Sequence, residues 1–398
     1  MFVAEDMYQL GSQRSAIREL FEYGKQRAAV VGAENVYDFS LGNPTVPAPD
    51  CVNETIRDLT QKLDSISLHG YTSAQGDIET RQAIADYLNK TYETAFSADN
   101  FYLTMGAAAS LSVCFRALTT SPEDEFITIA PFFPEYRVFV EANGAKLVVV
   151  PPHTSDFQID FEALEKAISA HTKGVIINSP NNPSGAILSE QTLRVMAKIL
   201  KVAEEEQGRS IYLVSDEPYR ELVYGDVTVP FVPNIYHNTL VCYSYSKSLS
   251  LPGERIGYIM VPPCVKDSGD VFAAVCGAGR ALGYVCAPSL MQHMLAKCAD
   301  VRPDITSYAK NRDTLYDALS SMGFACVKPD GAFYLFIKAP GGDSASEFCE
   351  KAKGFEILIV PSDSFGVEGY ARLAYCVSEK TVEASLPAFK KLAEAYGL

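Results

Sequence analysis

The chain has 398 residues, of which 47% are hydrophobic and 21% are charged, so it can form two or three globular domains and is not expected to be disordered. The formal net charge of −15 argues against a nucleic-acid or anionic-membrane partner. Ten scattered cysteines, together with the lack of a signal-peptide pattern or a membrane-length apolar run, predict a cytoplasmic protein with reduced, mostly buried thiols.

The first predicted element is an amphipathic helix over residues 12–31. Short apolar runs rich in β-forming residues follow, with segments of helical spacing between them, such as 161–169 and 190–206. Near-continuous apolar strands that alternate with helices predict an α/β fold with a mostly parallel sheet covered on both faces. The seven predicted strands of this sheet are 101–104, 126–130, 146–150, 174–178, 211–215, 240–244 and 256–261.

The C-terminal part changes in pattern. Helical stretches around residues 289–322 precede three predicted strands, which predict a smaller α+β domain that also includes the N-terminal segment. Such a domain would pack over the carboxyl edge of the large sheet and move on ligand binding. The predicted strands are 333–337, 357–360 and 371–376, and the predicted domain limits are 1–47 (arm and part of the small domain), 48–285 (large domain) and 286–398 (small domain).

Lys247 lies just past the carboxyl end of a predicted strand, where open α/β sheets bind ligands. Ser244 and Ser246 precede it and Arg255 follows it in the run SYSKSLSLPGERIG. This combination suits a phosphorylated aldehyde, because the lysine can form a Schiff base while the hydroxyls and the arginine hold the phosphate. The alternative is a solvated lysine on a loop.

Asp216 directly follows the predicted strand 211–215, and Tyr219 comes three residues later in SDEPYREL. A buried carboxylate needs a positive partner, and a pyridinium nitrogen is one. Tyr219 could then reach a ring oxygen. The alternative is that Asp216 is an N-cap that opens a helix.

Two further strands are followed by segments that could bind anions. Gly106 with Ala107 and Ala108 opens an apolar helix whose backbone amides could approach a phosphate, although a tightly packed helix start explains it equally well. The segment NSPNNPSG encodes a turn, and one of its asparagine amides could donate to an oxyanion or a carboxylate.

An aromatic residue of PFFPEY could stack on a flat ring, or could simply belong to the core. Arg372 alternates with apolar neighbours in a strand-like run and would bind a carboxylate if it points inward; otherwise it is a surface arginine. The spacing of the five histidines and ten cysteines predicts no metal site, and no G-x-S-x-G elbow is present.

Taken together, LGNPTVPAP, SPNNPSG, SDEPYREL, SYSKSLSLPGERIG, PDGAFYLF and ARLAYCVS resemble the class I/II aminotransferases, a fold-type I family that depends on pyridoxal 5′-phosphate, across nearly the whole chain. The resemblance implies a transaminase in which Lys247 binds the cofactor and shuttles the proton. It implies that Asp216 pairs with the ring nitrogen and that Tyr219 and Asn182 contact the ring oxygen. The remaining implied cofactor residues are Gly106, Ala107, Ala108, Phe133, Ser244, Ser246 and Arg255. The neighbouring Phe132 is the alternative to Phe133 as the ring-stacking aromatic.

The same resemblance implies that Arg372, Gly42 and Asn182 bind the substrate α-carboxylate. Tyr71 would reach the cofactor phosphate of a second subunit, which makes the protein a homodimer with shared active sites. Arg280 is a hypothetical ligand for a second substrate carboxylate, and 2-oxoglutarate is the expected amino acceptor. A β-eliminating lyase of the C–S type, a decarboxylase and, remotely, a cofactor-sensing regulator remain alternatives.

Overall fold

The computed structural model describes residues 2–12 and 16–398, and its α-helices and β-strands are numbered along these residues. The helices are α1 Glu5–Ser12, α2 Ala16–Val31, α3 Asp50–Lys62, α4 Ser65–His69, α5 Ile78–Tyr92, α6 Ala107–Leu118, α7 Glu135–Ala142, α8 Phe161–Ala167, α9 Glu190–Gln207, α10 Tyr245–Ser248, α11 Ser268–Ala281, α12 Ser289–Cys298, α13 Thr306–Ser321, α14 Ala345–Lys353 and α15 Glu379–Tyr396. The strands are β1 Tyr37–Asp38, β2 Phe101–Thr104, β3 Glu125–Ile129, β4 Lys146–Val150, β5 Thr172–Asn178, β6 Tyr212–Asp216, β7 Thr239–Ser244, β8 Gly257–Met260, β9 Tyr334–Lys338, β10 Ile357–Leu358, β11 Val360–Pro361 and β12 Tyr370–Ala374.

The large sheet contains the seven predicted strands, in the order β2-β8-β7-β6-β5-β3-β4. Every neighbouring pair is parallel except those that involve β8, which runs antiparallel to both β2 and β7. The predicted α/β fold with a mostly parallel sheet is confirmed.

Alternating side chains of the central strands belong to two different cores. On β5, Ile176 packs in one core while Val175 and Ile177 pack in the other; on β6, Val214 and Leu213 divide in the same way. A strand whose two faces are both buried must be apolar at nearly every position. This explains why the sequence shows continuous apolar runs here and not alternation.

A third core surrounds the sheet β11-β12-β9 and includes side chains of α13 and α15. Tyr219 and Leu222, which follow β6, also pack into this core. By contrast, Met291 and Leu295 of α12 pack with residues of β2 and β8. The predicted division at residue 285 stays a prediction.

Two predicted elements differ from the structure. The N-terminal helix predicted over 12–31 is observed as α2 from Ala16, residues 13–15 lie outside the described part, and a separate α1 precedes them. The predicted strand 357–360 is two short strands in different sheets, since β10 pairs with β1 and β11 pairs with β12.

Of the ten cysteines, five are buried, four are half-buried and one is exposed. Among the described helices, none combines the length and apolarity needed to cross a bilayer.

Three backbone segments lie close together at Gly257 on β8. A Cβ atom at this position would lie 2.2 Å from the carbonyl oxygen of Tyr243 and 3.0 Å from the Cα of Gly106. Contacts this short cannot be relieved by a side-chain rotation, so only glycine lets β8 lie beside β7 and the start of α6.

We predict that Gly257→Ala lowers the free energy of unfolding by about 1–3 kcal/mol, because the added methyl group forces backbone shifts in a close-packed core. The matched control is Gly269→Ala in α11, where a Cβ meets nothing within 4 Å. The control is expected to keep or raise stability by up to about 1 kcal/mol, since alanine is the better helix former. Chemical denaturation measures both, and equal midpoints for the two variants would contradict the prediction.

Candidate active site

The carboxyl ends of three adjacent parallel strands meet at one edge of the large sheet. β5 ends at Asn178, β6 at Asp216 and β7 at Ser244, and Asn178 lies directly beside Asp216 in the register of the sheet. A cavity of about 300 Å³ opens at this edge. It is lined by Ile17, Leu41, Gly42, Ala107, Ala108, Leu111, Phe133, Asn178, Asn182, Asp216, Pro218, Tyr219, Ser244, Ser246, Lys247, Pro252, Arg255, Tyr334 and Arg372.

Asp216 is a buried carboxylate with only one oxygen hydrogen-bonded. The Tyr136 hydroxyl donates to Oδ2 at 2.6 Å, whereas the buried Oδ1 has no partner among the described residues. Burial raises the pKa of the Asp216 carboxyl to about 7. A cationic N–H donor in the cavity would satisfy Oδ1 and favour the ionised form. No helix begins in residues 217–231, so the alternative that Asp216 is an N-cap is wrong.

Lys247 lies in the short helix α10, which begins after Ser244. Its ammonium donates to the carbonyl oxygen of Gly42 at 2.6 Å. Burial is the main reason that the pKa of Lys247 falls to about 8, and the positive charges of Arg372 and Arg255 also lower it. A lysine with this pKa is substantially neutral at mildly alkaline pH, so it can act as a nucleophile or a base.

The start of α6 and the loop after α10 form a positive, hydroxyl-rich corner. Gly106 has a φ of 86°, and a Cβ on it would lie 2.9 Å from Nη2 of Arg255. The Ser244 and Ser246 hydroxyls are 2.7 Å apart, and Nη1 of Arg255 lies 3.4 Å from the Ser246 hydroxyl oxygen. Arg255 forms no ion pair with an acidic residue in the described chain. The corner therefore offers a guanidinium, two hydroxyls and helix N-terminal amides to an anion such as a phosphate.

Arg372 on β12 is only 2% exposed, and within residues 2–12 and 16–398 it has no carboxylate partner. Nη1 donates to Oδ1 of Asn182 at 3.1 Å and Nη2 donates to the carbonyl oxygen of Ser40 at 2.6 Å, while Nε is buried without a partner. The guanidinium also lies over the Tyr334 ring, at 4.8 Å from its centroid. A buried arginine with neutral acceptors only is suited to bind a ligand carboxylate.

Two aromatic positions are resolved by the structure. Phe133 lines the cavity, whereas Phe132 is 4% exposed and belongs to the core beneath it. The Tyr219 hydroxyl lies 2.9 Å from the Tyr334 hydroxyl, and both tyrosines line the cavity.

The sequence model of the family "Aminotransferase class I and II" matches residues 33–389. The chain belongs to this family. It is 31% identical over 363 residues to a probable N-acetyl-LL-diaminopimelate aminotransferase of Bacillus subtilis, and this match covers 89% of the present chain and 88% of the relative. It is also 31% identical over 395 residues to an aspartate aminotransferase of Pyrococcus horikoshii, covering 96% of this chain and 95% of the relative. A crystal structure of an aminotransferase from Eubacterium rectale is 62% identical, with a TM-score of 0.98 and complete coverage of both chains.

Most of the residues singled out from the sequence of the aminotransferase come together. Gly42, Ala107, Ala108, Phe133, Asn182, Asp216, Tyr219, Ser244, Ser246, Lys247, Arg255 and Arg372 all line the cavity, and Gly106 adjoins it through Arg255. Two do not. Tyr71 is 91% exposed in the loop after α4, and Arg280 is exposed at the end of α11; neither lines the cavity of its own chain.

Sequence reasoning missed three residues of the aminotransferase site: Tyr136, Asn178 and Tyr334. The side-chain amide of Asn178 donates to the backbone carbonyl of Asp216 at 2.9 Å, so it fixes the strand end that carries the carboxylate. Asn178 and Tyr136 could have been suspected, because one ends a predicted strand and the other follows Phe133 by three residues. Tyr334 lies in PDGAFYLF, but nothing in that motif indicates its contact with Tyr219.

We predict that Asp216→Asn stabilises the cofactor-free protein at alkaline pH. The folded-state pKa of Asp216, about 7, is above the ordinary value of 3.8, so the stability of the wild type falls as the pH rises between these values. A difference of about three pKa units corresponds to roughly 4 kcal/mol above pH 7. Unfolding curves of both proteins between pH 5 and 8.5 test this. A stability difference that is independent of pH would contradict it.

Proposed function

We propose that this aminotransferase binds pyridoxal 5′-phosphate in the cavity at the carboxyl edge of the large sheet and transfers the amino group of an L-amino acid to a 2-oxo acid, with 2-oxoglutarate as acceptor. The observation that carries the proposal is the buried, unpartnered Oδ1 of Asp216 in the same cavity as Lys247 with its lowered pKa. A protonated pyridine nitrogen and an aldehyde are the ligand groups that match these two side chains.

The other lining residues fit the same cofactor. The corner formed by Gly106, Ala107, Ala108, Ser244, Ser246 and Arg255 matches its phosphate. Phe133 would pack on the ring face, and Tyr219 with Asn182 would hydrogen-bond the ring oxygen. Because the ring nitrogen would bring a positive charge to Asp216, binding would restore the ionised carboxylate that burial disfavours.

Pyridoxal phosphate, when bound, supplies an aldehyde that condenses with amines and a ring that accepts electrons from the substrate α-carbon. Asp216 would keep the ring nitrogen protonated and thereby maintain that electron sink. The Lys247 amine, once it is no longer bonded to the cofactor, would take the proton from the substrate α-carbon and deliver it to the cofactor carbon C4′. Its hydrogen bond to the Gly42 carbonyl supports this role, because it shows an amine held inside the cavity.

Arg372 is proposed to bind the substrate α-carboxylate, with Asn182 and the Gly42 segment beside it. Arg372 has neutral partners only, so a carboxylate would replace them with a charge-assisted pair. This pairing would fix the α-carbon relative to Lys247. Since the relatives described above are named aminotransferases, we propose transamination and not elimination or decarboxylation.

We further propose a homodimer with shared sites in a cytoplasmic setting. Tyr71 is 91% exposed, and the side chains of Ile66 and Ile78, which flank it in the sequence, are 85% and 62% exposed. Val285, five residues after Arg280, is 59% exposed. Exposed apolar side chains of this size favour burial against another protein surface. Tyr71 would reach the phosphate corner of the second subunit, and Arg280 would meet a distal substrate carboxylate there.

We predict that Lys247→Ala abolishes transamination while the fold persists, because the variant lacks both the amine that binds the aldehyde and the base that moves the proton. Amino transfer to 2-oxoglutarate and far-ultraviolet circular dichroism measure the two effects. The matched control is Lys173→Ala, a lysine away from the cavity whose ammonium donates to the Thr120 hydroxyl. The proposed function would be falsified by wild-type turnover in freshly purified Lys247→Ala.

A second prediction concerns the shared site. Tyr71→Ala is expected to lower activity about tenfold or more, the effect of removing a hydrogen bond to a charged group. A hybrid dimer of one Lys247→Ala chain and one Tyr71→Ala chain contains one intact site if Tyr71 acts on the partner. Such hybrids, isolated with two different tags, should show about half of the wild-type activity per dimer. Activity no higher than that expected from one Tyr71→Ala site would mean that Tyr71 acts within its own chain.

A further inference from the structure

Tyr334 contacts three different parts of the site at once. Its hydroxyl lies 2.9 Å from the Tyr219 hydroxyl, and its ring lies under the Arg372 guanidinium at 4.8 Å. A Cβ built on Gly42 would lie 2.1 Å from the Tyr334 hydroxyl oxygen, so this hydroxyl also touches the backbone segment that accepts the hydrogen bond of Lys247. Tyr334 is 2% exposed and lines the cavity.

Only one hydrogen can occupy the bond between the two tyrosine hydroxyls. In the described residues, each hydroxyl has the other as its hydrogen-bond partner. If Tyr334 donates, the hydrogen of Tyr219 is free to point at a ligand; if Tyr219 donates, it is not. The direction of this one hydrogen bond therefore decides whether Tyr219 can donate to the ring oxygen.

Tyr219 can donate to a ligand only if Tyr334 is the donor in this pair. A tyrosine hydroxyl carries one hydrogen, and the two hydroxyl oxygens lie 2.9 Å apart. When the Tyr219 hydrogen points at a ring oxygen, the Tyr219 oxygen can only accept from Tyr334, so the hydrogen between the two tyrosines comes from Tyr334. Burial raises the pKa of both phenols, and the Arg372 cation opposes the rise in both. The other titratable groups that act on the pair or lie beside it are Asp216, Lys247 and Cys376.

We propose that Tyr334 is a positioning residue, which donates to Tyr219 and so directs the Tyr219 hydrogen to the ring oxygen of the cofactor. The proposal rests on the proposed function. It predicts cooperativity: donation by Tyr334 polarises Tyr219 and strengthens the next hydrogen bond in the chain.

The test is Tyr334→Phe in the cofactor-loaded enzyme, with the visible absorption band followed against pH. Weaker donation to the ring oxygen leaves its negative charge less stabilised. The nearby nitrogen that links Lys247 to the cofactor then keeps its proton to higher pH. The midpoint of the spectral change should rise by about 0.5 pH unit. Tyr375→Phe, which removes another buried hydroxyl of the same core that donates to the Ala332 carbonyl, should leave the midpoint unchanged.

A double-mutant comparison separates this role from general loosening of the site. In a Tyr219→Phe background, Tyr334→Phe should cause no further shift, because its effect passes through Tyr219. An equal shift in both backgrounds, or no shift in the wild-type background, overturns the inference while leaving the proposed function intact. A wild-type protein that shows no visible band with pyridoxal phosphate overturns both.

Discussion

The arrangement of the site depends on one electrostatic constraint, a carboxylate buried at the end of β6 with a single hydrogen-bond donor. The parallel register of β5 and β6 brings Asn178 and Asp216 to the same edge, and Tyr136 satisfies only Oδ2. A carboxyl group held in this way loses its charge near neutral pH, unless a cation reaches it. The fold thus places a carboxyl group whose ionisation is unfavourable at the position where a protonated ring nitrogen would make it favourable.

Arg372 is a second buried group without a charged partner, and its charge is positive. It is buried among Asn182, Ser40 and two aromatic rings without an acid from the described chain. Asp216 comes from the large sheet and Arg372 from the sheet that contains β9, β11 and β12, so a ligand that pairs with both would hold the two sheets together. We expect ligand binding to stabilise this contact, because each buried charge gains its missing partner only when the cavity is filled.

Local sequence patterns were sufficient where one segment determines the feature. The continuous apolar run of β7 predicted the strand that ends beside Lys247, and the alternation around Arg372 predicted a strand but left open whether the arginine faces inward or lies on the surface. Patterns failed where distant segments meet. Tyr334 is 115 residues from its partner Tyr219, and Tyr136 is 80 residues from Asp216, so neither hydrogen bond leaves a local signal. The division of 357–360 between two sheets likewise depends on pairing with β1 and β12, which the segment does not encode.

The central claim is that the free oxygen of Asp216 pairs with a protonated ring nitrogen. The most direct measurement compares the affinity of the cofactor-free protein for pyridoxal phosphate with that for its carbocyclic analogue, in which carbon replaces the ring nitrogen. We predict that the wild type prefers pyridoxal phosphate by about tenfold or more, the usual effect of a charged hydrogen bond. In Asp216→Ala the preference should fall to near unity. An equal preference in both proteins would show that Asp216 does not contact the ring nitrogen, and would contradict the account.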